Sequence, residues 1–197
     1  MDQQADIARL GLGVRPQILP LRRQSELITE LVRARLDTIL PDGMADAGLD
    51  AWLVLCQEDN PDPIFLTMIP FDNWHPILSC LLFVRDDQAI RRYNLSGVDT
   101  KDLYERPYAG QLEEKQWPLL IDLLTQHDPQ TIGINIGTVA WSAGGLTHFL
   151  YNQLQRLLPE RYRDRLVSAE KAAVRWASTM TDTEAIHFKR LTELGQY

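Results

Sequence analysis

Ala51-Trp52-Leu53-Val54-Leu55-Cys56 is six apolar residues in unbroken succession, preceded by Gly48-Leu49-Asp50 and followed by Glu58-Asp59-Asn60-Pro61. A surface strand alternates apolar and polar residues, because successive side chains point to opposite faces of the sheet. A run with no polar residue has both faces covered, as in the central strand of an α/β sheet. The residues on either side supply the covering layers. Leu27, Ile28, Leu31, Val32, Ile39 and Leu40 recur at helical spacing from Arg22 onward, which predicts an amphipathic helix. Pro41 is expected to end or kink it, having no N–H to donate. A short second helix, 42–47, is expected to close at Gly48 in the left-handed conformation.

Downstream, Asn60-Pro61-Asp62-Pro63 reads as a stiff turn and 64–67 as a short extended piece. Ile77 to Val84 is a second apolar strand. Asp86-Asp87 turns it into 89–95, an antiparallel hairpin partner. Trp117, Leu120, Ile121 and Leu124 mark a helix with Pro118 near its first turn. Residues 131–136 follow as a strand, and then comes a helix carrying Leu146, Phe149, Leu150, Leu154, Leu157 and Leu158. Leu166-Val167 reads as a short edge strand, and Ser168 as a cap for a helix turning Ala172, Ala173 and Trp176 inward. Thr181 and Glu184 have the spacing of a capping box opening a last helix. This order predicts an α/β fold, a mixed β-sheet flanked by helices on both faces. Residues 1–21 are expected to form an extended arm, 22–180 the domain, and 181–197 the start of a linker helix.

Composition narrows the function classes. The chain has 197 residues, 45% hydrophobic and 24% charged, with a formal net charge of −7. That balance suits a folded domain and argues against a nucleic-acid partner, which requires a dominant positive field. Sixteen of the twenty basic residues are arginine, interleaved with acids as in Glu160-Arg161-Tyr162-Arg163-Asp164-Arg165, the pattern of a solvated face. Cys56 and Cys80 lie in apolar strands without metal-ligand spacing, so free thiols and a reducing, cytoplasmic setting are expected. The amino terminus lacks a signal-peptide pattern, and no run approaches the ~20 apolar residues that cross a bilayer. A soluble protein without membrane association is expected.

The residue types that carry chemistry do not assemble. His75, His127, His148 and His187 are isolated from metal-ligand spacings, Ser142-Ala143-Gly144-Gly145 is no nucleophile elbow, and the glycines of 133–137 lie on a strand rather than at a phosphate-binding turn. Glu58, Asp59 and Asp62 gather acids at the carboxyl end of the central strand, which reads either as a solubilising turn or as an acid–base or cation site. Phe71-Asp72-Asn73-Trp74-His75 is an aromatic and polar loop of the kind that lines clefts and interfaces, or that simply covers the core edge. The chain alone is expected to catalyse nothing.

Four stretches resemble the amino-terminal domain shared by creatinase, prolidase and aminopeptidase P. They are Arg35-Leu36-Asp37-Thr38-Ile39-Leu40-Pro41 leading into 47–54, then 60–67, then Ile132-Gly133-Ile134-Asn135 with Gly145-Leu146-Thr147-His148. The last is Leu166-Val167-Ser168-Ala169-Glu170 through Thr181-Asp182-Thr183-Glu184. The closest likeness is to bacterial Xaa-Pro aminopeptidase-like proteins. Met68 stands where that family usually has glycine, and Ala177-Ser178-Thr179 where a lysine-containing exit is common.

The resemblance implies a ribonuclease H-like layer and no catalytic or metal-binding residues in this chain. Two divalent metal ions are implied on a separate carboxy-terminal catalytic domain. It also implies a homodimer, proline-containing peptides as substrates of the whole enzyme, and a role in walling its entrance. Asp62, Phe71, Asp72, Trp74 and His75 would then line substrate access or an interface. Two alternatives stand beside it: a stand-alone α/β binding or regulatory module, and an autonomous enzyme using the 58–62 acids with a metal.

Overall fold

The computed structural model describes residues 18–70, 77–87 and 89–194. The run from Ala51 is β1 (Ala51–Gln57), the middle of a five-stranded mixed sheet of order β3-β2-β1-β4-β5. β2 (Leu78–Asp86) pairs antiparallel with β1, from Ala51 opposite Val84 to Gln57 opposite Leu78, and β3 (Ala89–Asn94) returns antiparallel along β2. On the other side, β4 (Ile132–Ile134) and β5 (Leu166–Ser168) run parallel to β1. Every residue from Ala51 to Cys56 is buried, because helices cover both faces.

Alternation along β1 sorts its side chains between two cores. Trp52, Val54 and Cys56 join Phe83, with Leu36, Leu40 and Met44 from α1 (Leu21–Ala47) and Trp176 from α6 (Glu170–Ser178). Ala51, Leu53 and Leu55 join Ile132 and Ile134, with Leu120 and Leu124 from α2 (Glu113–His127). Leu150 and Leu154 from α4 (His148–Leu157) complete that second core. Short helices α3 (Ala140–Ala143) and α5 (Glu160–Arg163) and a terminal α7 (Asp182–Leu194) complete the chain. None of the described helices is long and apolar enough to cross a membrane.

Three expectations are corrected. Pro41 does not end α1, which runs on to Ala47, so 42–47 is not a separate helix. Leu36 and Leu40 before the proline and Gly43 and Met44 after it are all buried, and that shared burial outweighs the missing hydrogen bond. Residues 64–67 are not extended: Phe65–Thr67 forms a single 3-10 turn. Pro118 is the sixth residue of α2 rather than part of its first turn.

Two end signals behave as the sequence implies. Gly48, at φ 65°, donates to the Ala45 carbonyl while Leu49 N–H reaches Met44 O, closing α1. Ser168, expected as the α6 cap, instead stands one residue before the N-cap Ala169, where its hydroxyl accepts from Glu170 N–H at 3.1 Å. Thr181 and Glu184 form a reciprocal capping box, Thr181 N–H on Glu184 Oε2 at 2.8 Å and Glu184 N–H on Thr181 Oγ1 at 3.2 Å.

Candidate functional site

In open α/β sheets, ligands settle at the carboxyl ends of parallel strands, where neighbouring connections depart in opposite directions. Here that point lies between β1, whose connection leads toward β2, and β4, whose connection leads to β5 on the opposite side. Two polar residues, Asp62 and Asn135, stand just beyond these strand ends, and both are buried.

Their hydrogen bonds all run one way. Trp52 Nε1–H donates to Asn135 Oδ1 at 2.8 Å, Asn135 Nδ2–H donates to Asp62 Oδ2 at 2.8 Å, and Ile64 N–H donates to Asp62 Oδ1 at 3.0 Å. Asp62 terminates the chain because an ionised carboxylate only accepts. Gly145 closes the space beside it: a Cβ there would overlap the Asp62 carboxylate. Burial pushes the Asp62 carboxyl above its ordinary range, against the opposing pull of the Asn135 and Ile64 donors.

Asp62 was expected at a substrate entrance; its side chain instead points inward. What it positions is the next segment. Bonding to Ile64 N–H draws the backbone into the 3-10 turn, where Met68 N–H reaches Phe65 O and Thr67 Oγ1 donates to Ile64 O at 2.6 Å. Phe71, Asp72, Trp74 and His75, the other expected access residues, lie outside the described residues. Glu58 and Asp59 are exposed while Asp62 is internal, so the three acids do not converge.

The turn that Asp62 holds forms one wall of a cleft of about 440 Å³, between α1, α3, α6 and α7. Pro63, Leu66 and Thr67 face Trp141, which is 60% exposed, with Arg35 and Glu184 alongside. The polar groups in it are already engaged. Thr67 Oγ1 accepts from Trp176 Nε1 at 2.8 Å. Arg35 donates to both Glu184 oxygens at 3.0 Å, to Thr179 O at 2.8 Å and to Trp176 O, and its guanidinium lies 4.5 Å from the Trp176 ring centre. Among the described residues, the cleft therefore offers aromatic and aliphatic contact rather than a nucleophile or a free base.

Ser142, His127 and His148 are engaged in local hydrogen bonds. Ser142 is buried, its hydroxyl 3.4 Å from Val139 O. His127 Nε2 bonds the Tyr93 hydroxyl at 2.8 Å, and burial lowers its pKa. His148 bonds Asn152. Among the described residues no three His, Cys, Asp or Glu side chains are grouped to hold a metal.

Cys56 and Cys80 are free and buried on opposite faces of the sheet. Burial pushes the Cys56 thiol up to about 12 and Cys80 upward as well. Because the thiolate is the reactive form, neither cysteine is expected to react with a disulfide reagent in the native protein at pH 8. Both should react at once in denaturant; rapid native labelling of either would contradict this burial.

Sequence reasoning singled out Asp62 but missed Asn135 and Trp52 as the network it ends, and Arg35 in the adjoining cleft. An arginine among apolar residues of an amphipathic helix, and an asparagine directly ending an apolar strand, were the available signals. Comparison with protein-family models, with curated proteins and with solved structures returns no match to this chain.

Proposed function

We propose that this chain is the non-catalytic amino-terminal domain, ribonuclease H-like in fold, of an Xaa-Pro peptidase-like dinuclear metallohydrolase. In this reading it shapes substrate access and dimer assembly. One observation carries it beyond the motif resemblance: the way α7 is mounted. Its first turn is locked to the body through Glu184 and Arg35, so its direction is fixed. Further along, Ile186 and Phe188 stand 69% and 55% exposed. A rigidly aimed helix with uncovered apolar side chains is suited to seat an adjoining domain. The two divalent metal ions belong, in this reading, to that catalytic domain, and proline-containing peptides are substrates of the whole enzyme in its cytoplasmic setting.

The Asp62-held turn and the Trp141 cleft then form scaffolding from which the 71–76 segment reaches a substrate entrance or a partner subunit. The second reading, a stand-alone α/β binding or regulatory module, draws on the same cleft, whose exposed Trp141 and Leu66 give contact area without chemistry.

The deciding experiment compares this chain with the product of its full reading frame, using Xaa-Pro dipeptides and added manganese. The chain alone is expected to leave them intact, and a longer product to cleave them in a chelator-sensitive way. Chelator-sensitive cleavage by residues 1–197 alone would overturn the accessory role. A reading frame that stops at Tyr197 would select the stand-alone module.

A further inference from the structure

The hydrogen bonds around Asp62 continue beyond the turn it holds. Ile64, whose N–H bonds the Asp62 carboxyl at 3.0 Å, accepts at its carbonyl from Thr67 Oγ1 at 2.6 Å. Thr67 Oγ1 in turn accepts from Trp176 Nε1 at 2.8 Å. The Arg35 guanidinium lies 4.5 Å from the Trp176 ring centre, bonds Trp176 O, and holds both Glu184 oxygens at 3.0 Å. An unbroken line of contacts therefore joins the buried carboxyl to the first turn of α7.

Asp62 belongs to no ion pair among the described residues. Each element packed against it brings a neutral group. β1 brings Cys56, whose thiol is kept neutral by burial and whose sulfur accepts from the Asp62 backbone. The end of β4 brings the Asn135 amide, and Gly145 brings backbone alone. The turn itself brings the backbone of Ile64 and Phe65. Burial without a counter-ion raises the Asp62 pKa. If the turn swings out into water, the same carboxyl titrates as a free aspartate near ~3.9. The seated turn thus binds the proton more tightly, and by linkage the proton favours the seated turn. That contribution is complete below ~3.9 and is lost as pH rises through the seated-state value.

We propose that Asp62 is a proton-sensitive latch on α7: binding its proton steadies the 62–68 turn, and the turn, through Thr67 and Trp176, steadies the Arg35–Glu184 seat of the helix. Asp62 acts here as a positioning residue. The two-state element is the turn, seated or released, which both the proton and the helix bias. Both ends of the linkage lie within this chain, whatever adjoins α7.

The test is hydrogen exchange of the α7 amides between pH 7 and pH 4, corrected for intrinsic exchange rate, in wild type and in Thr67→Val. Thr67 is exposed and valine keeps its shape, so the change cuts the relay without disturbing the core. The ionisable groups of α7 itself are present in both proteins, so their response to pH cancels in the comparison. Protection of wild-type α7 relative to Thr67→Val is expected to rise several-fold as pH falls across this range. Asp62→Asn, which takes up no proton, should abolish the rise as well; if that variant does not fold, the Thr67→Val comparison decides alone. Parallel pH courses for wild type and Thr67→Val would overturn the latch, as would a rise that survives in Asp62→Asn.

Discussion

Asp62→Ala is expected to lower the unfolding free energy by about 3 kcal/mol, measured by urea denaturation at pH 7. The substitution leaves Asn135 Nδ2–H and Ile64 N–H as buried donors without acceptors, each costing ~1–3 kcal/mol, partly offset by removal of a desolvated charge. Asp62→Asn does not rescue the network. Two donors converge on this side chain and an amide has one acceptor. Turning Asn135 over would only move the conflict to Trp52 Nε1–H. The pH dependence gives an independent check. The folded-state pKa of Asp62 is raised by burial, so the native protein takes up this proton before the unfolded chain does. Asp62 therefore contributes most to stability below its unfolded pKa of ~3.9, and that contribution is lost as pH rises through the folded value. The stability gap between wild type and either variant should widen as pH falls from 7 toward 4. A gap that stays flat or narrows would show that Asp62 is not a buried, titrating end to this network.

The contrast between Asp62 and β1 shows what was legible beforehand. β1 could be read because its two faces are each apolar, and the covering layers announce themselves as helical periodicities on either side. Gly48 and the Thr181–Glu184 box could be read because each closes its hydrogen bonds within a few residues. Asp62 could be noticed as an acid at a strand end, but its partner Asn135 lies 73 residues away, and nothing local distinguishes an inward from an outward carboxylate. The same limit explains the misread 64–67 segment. Its 3-10 turn depends on where the Asp62 side chain points, and that is settled by β4. Pro41 was misjudged for a related reason: local backbone chemistry favours a break, whereas the decision came from Leu40 and Met44 both packing under α6 and the sheet.

Arg35→Ala is expected to have the other large effect, roughly 3–4 kcal/mol, concentrated at α7. Arg35 and Glu184 have side-chain exposures of 11% and 19%, so their pairing is shielded from solvent, and removing one partner strands the other. Three acceptors lose the Arg35 donor together: Trp176 O, Thr179 O and the Glu184 carboxylate, which among the described residues keeps only its Thr181 bonds. Arg35→Lys should recover little, because one ammonium cannot span acceptors on two sides while also stacking on Trp176. The double variant Arg35→Met with Glu184→Leu is expected to regain part of the loss, since no unpaired charge remains. It also removes half of the capping box, so recovery stays incomplete. Hydrogen exchange followed by mass spectrometry separates local from global failure. In Arg35→Ala the α7 amides should lose protection while those of β1 and β2 keep theirs; uniform loss across the sheet would mean that Arg35 supports the core rather than aims the helix. That difference matters for function. If α7 carries the joint to another domain, freeing it should loosen assembly of the larger protein while leaving this domain folded, and the two outcomes can be read from one exchange experiment.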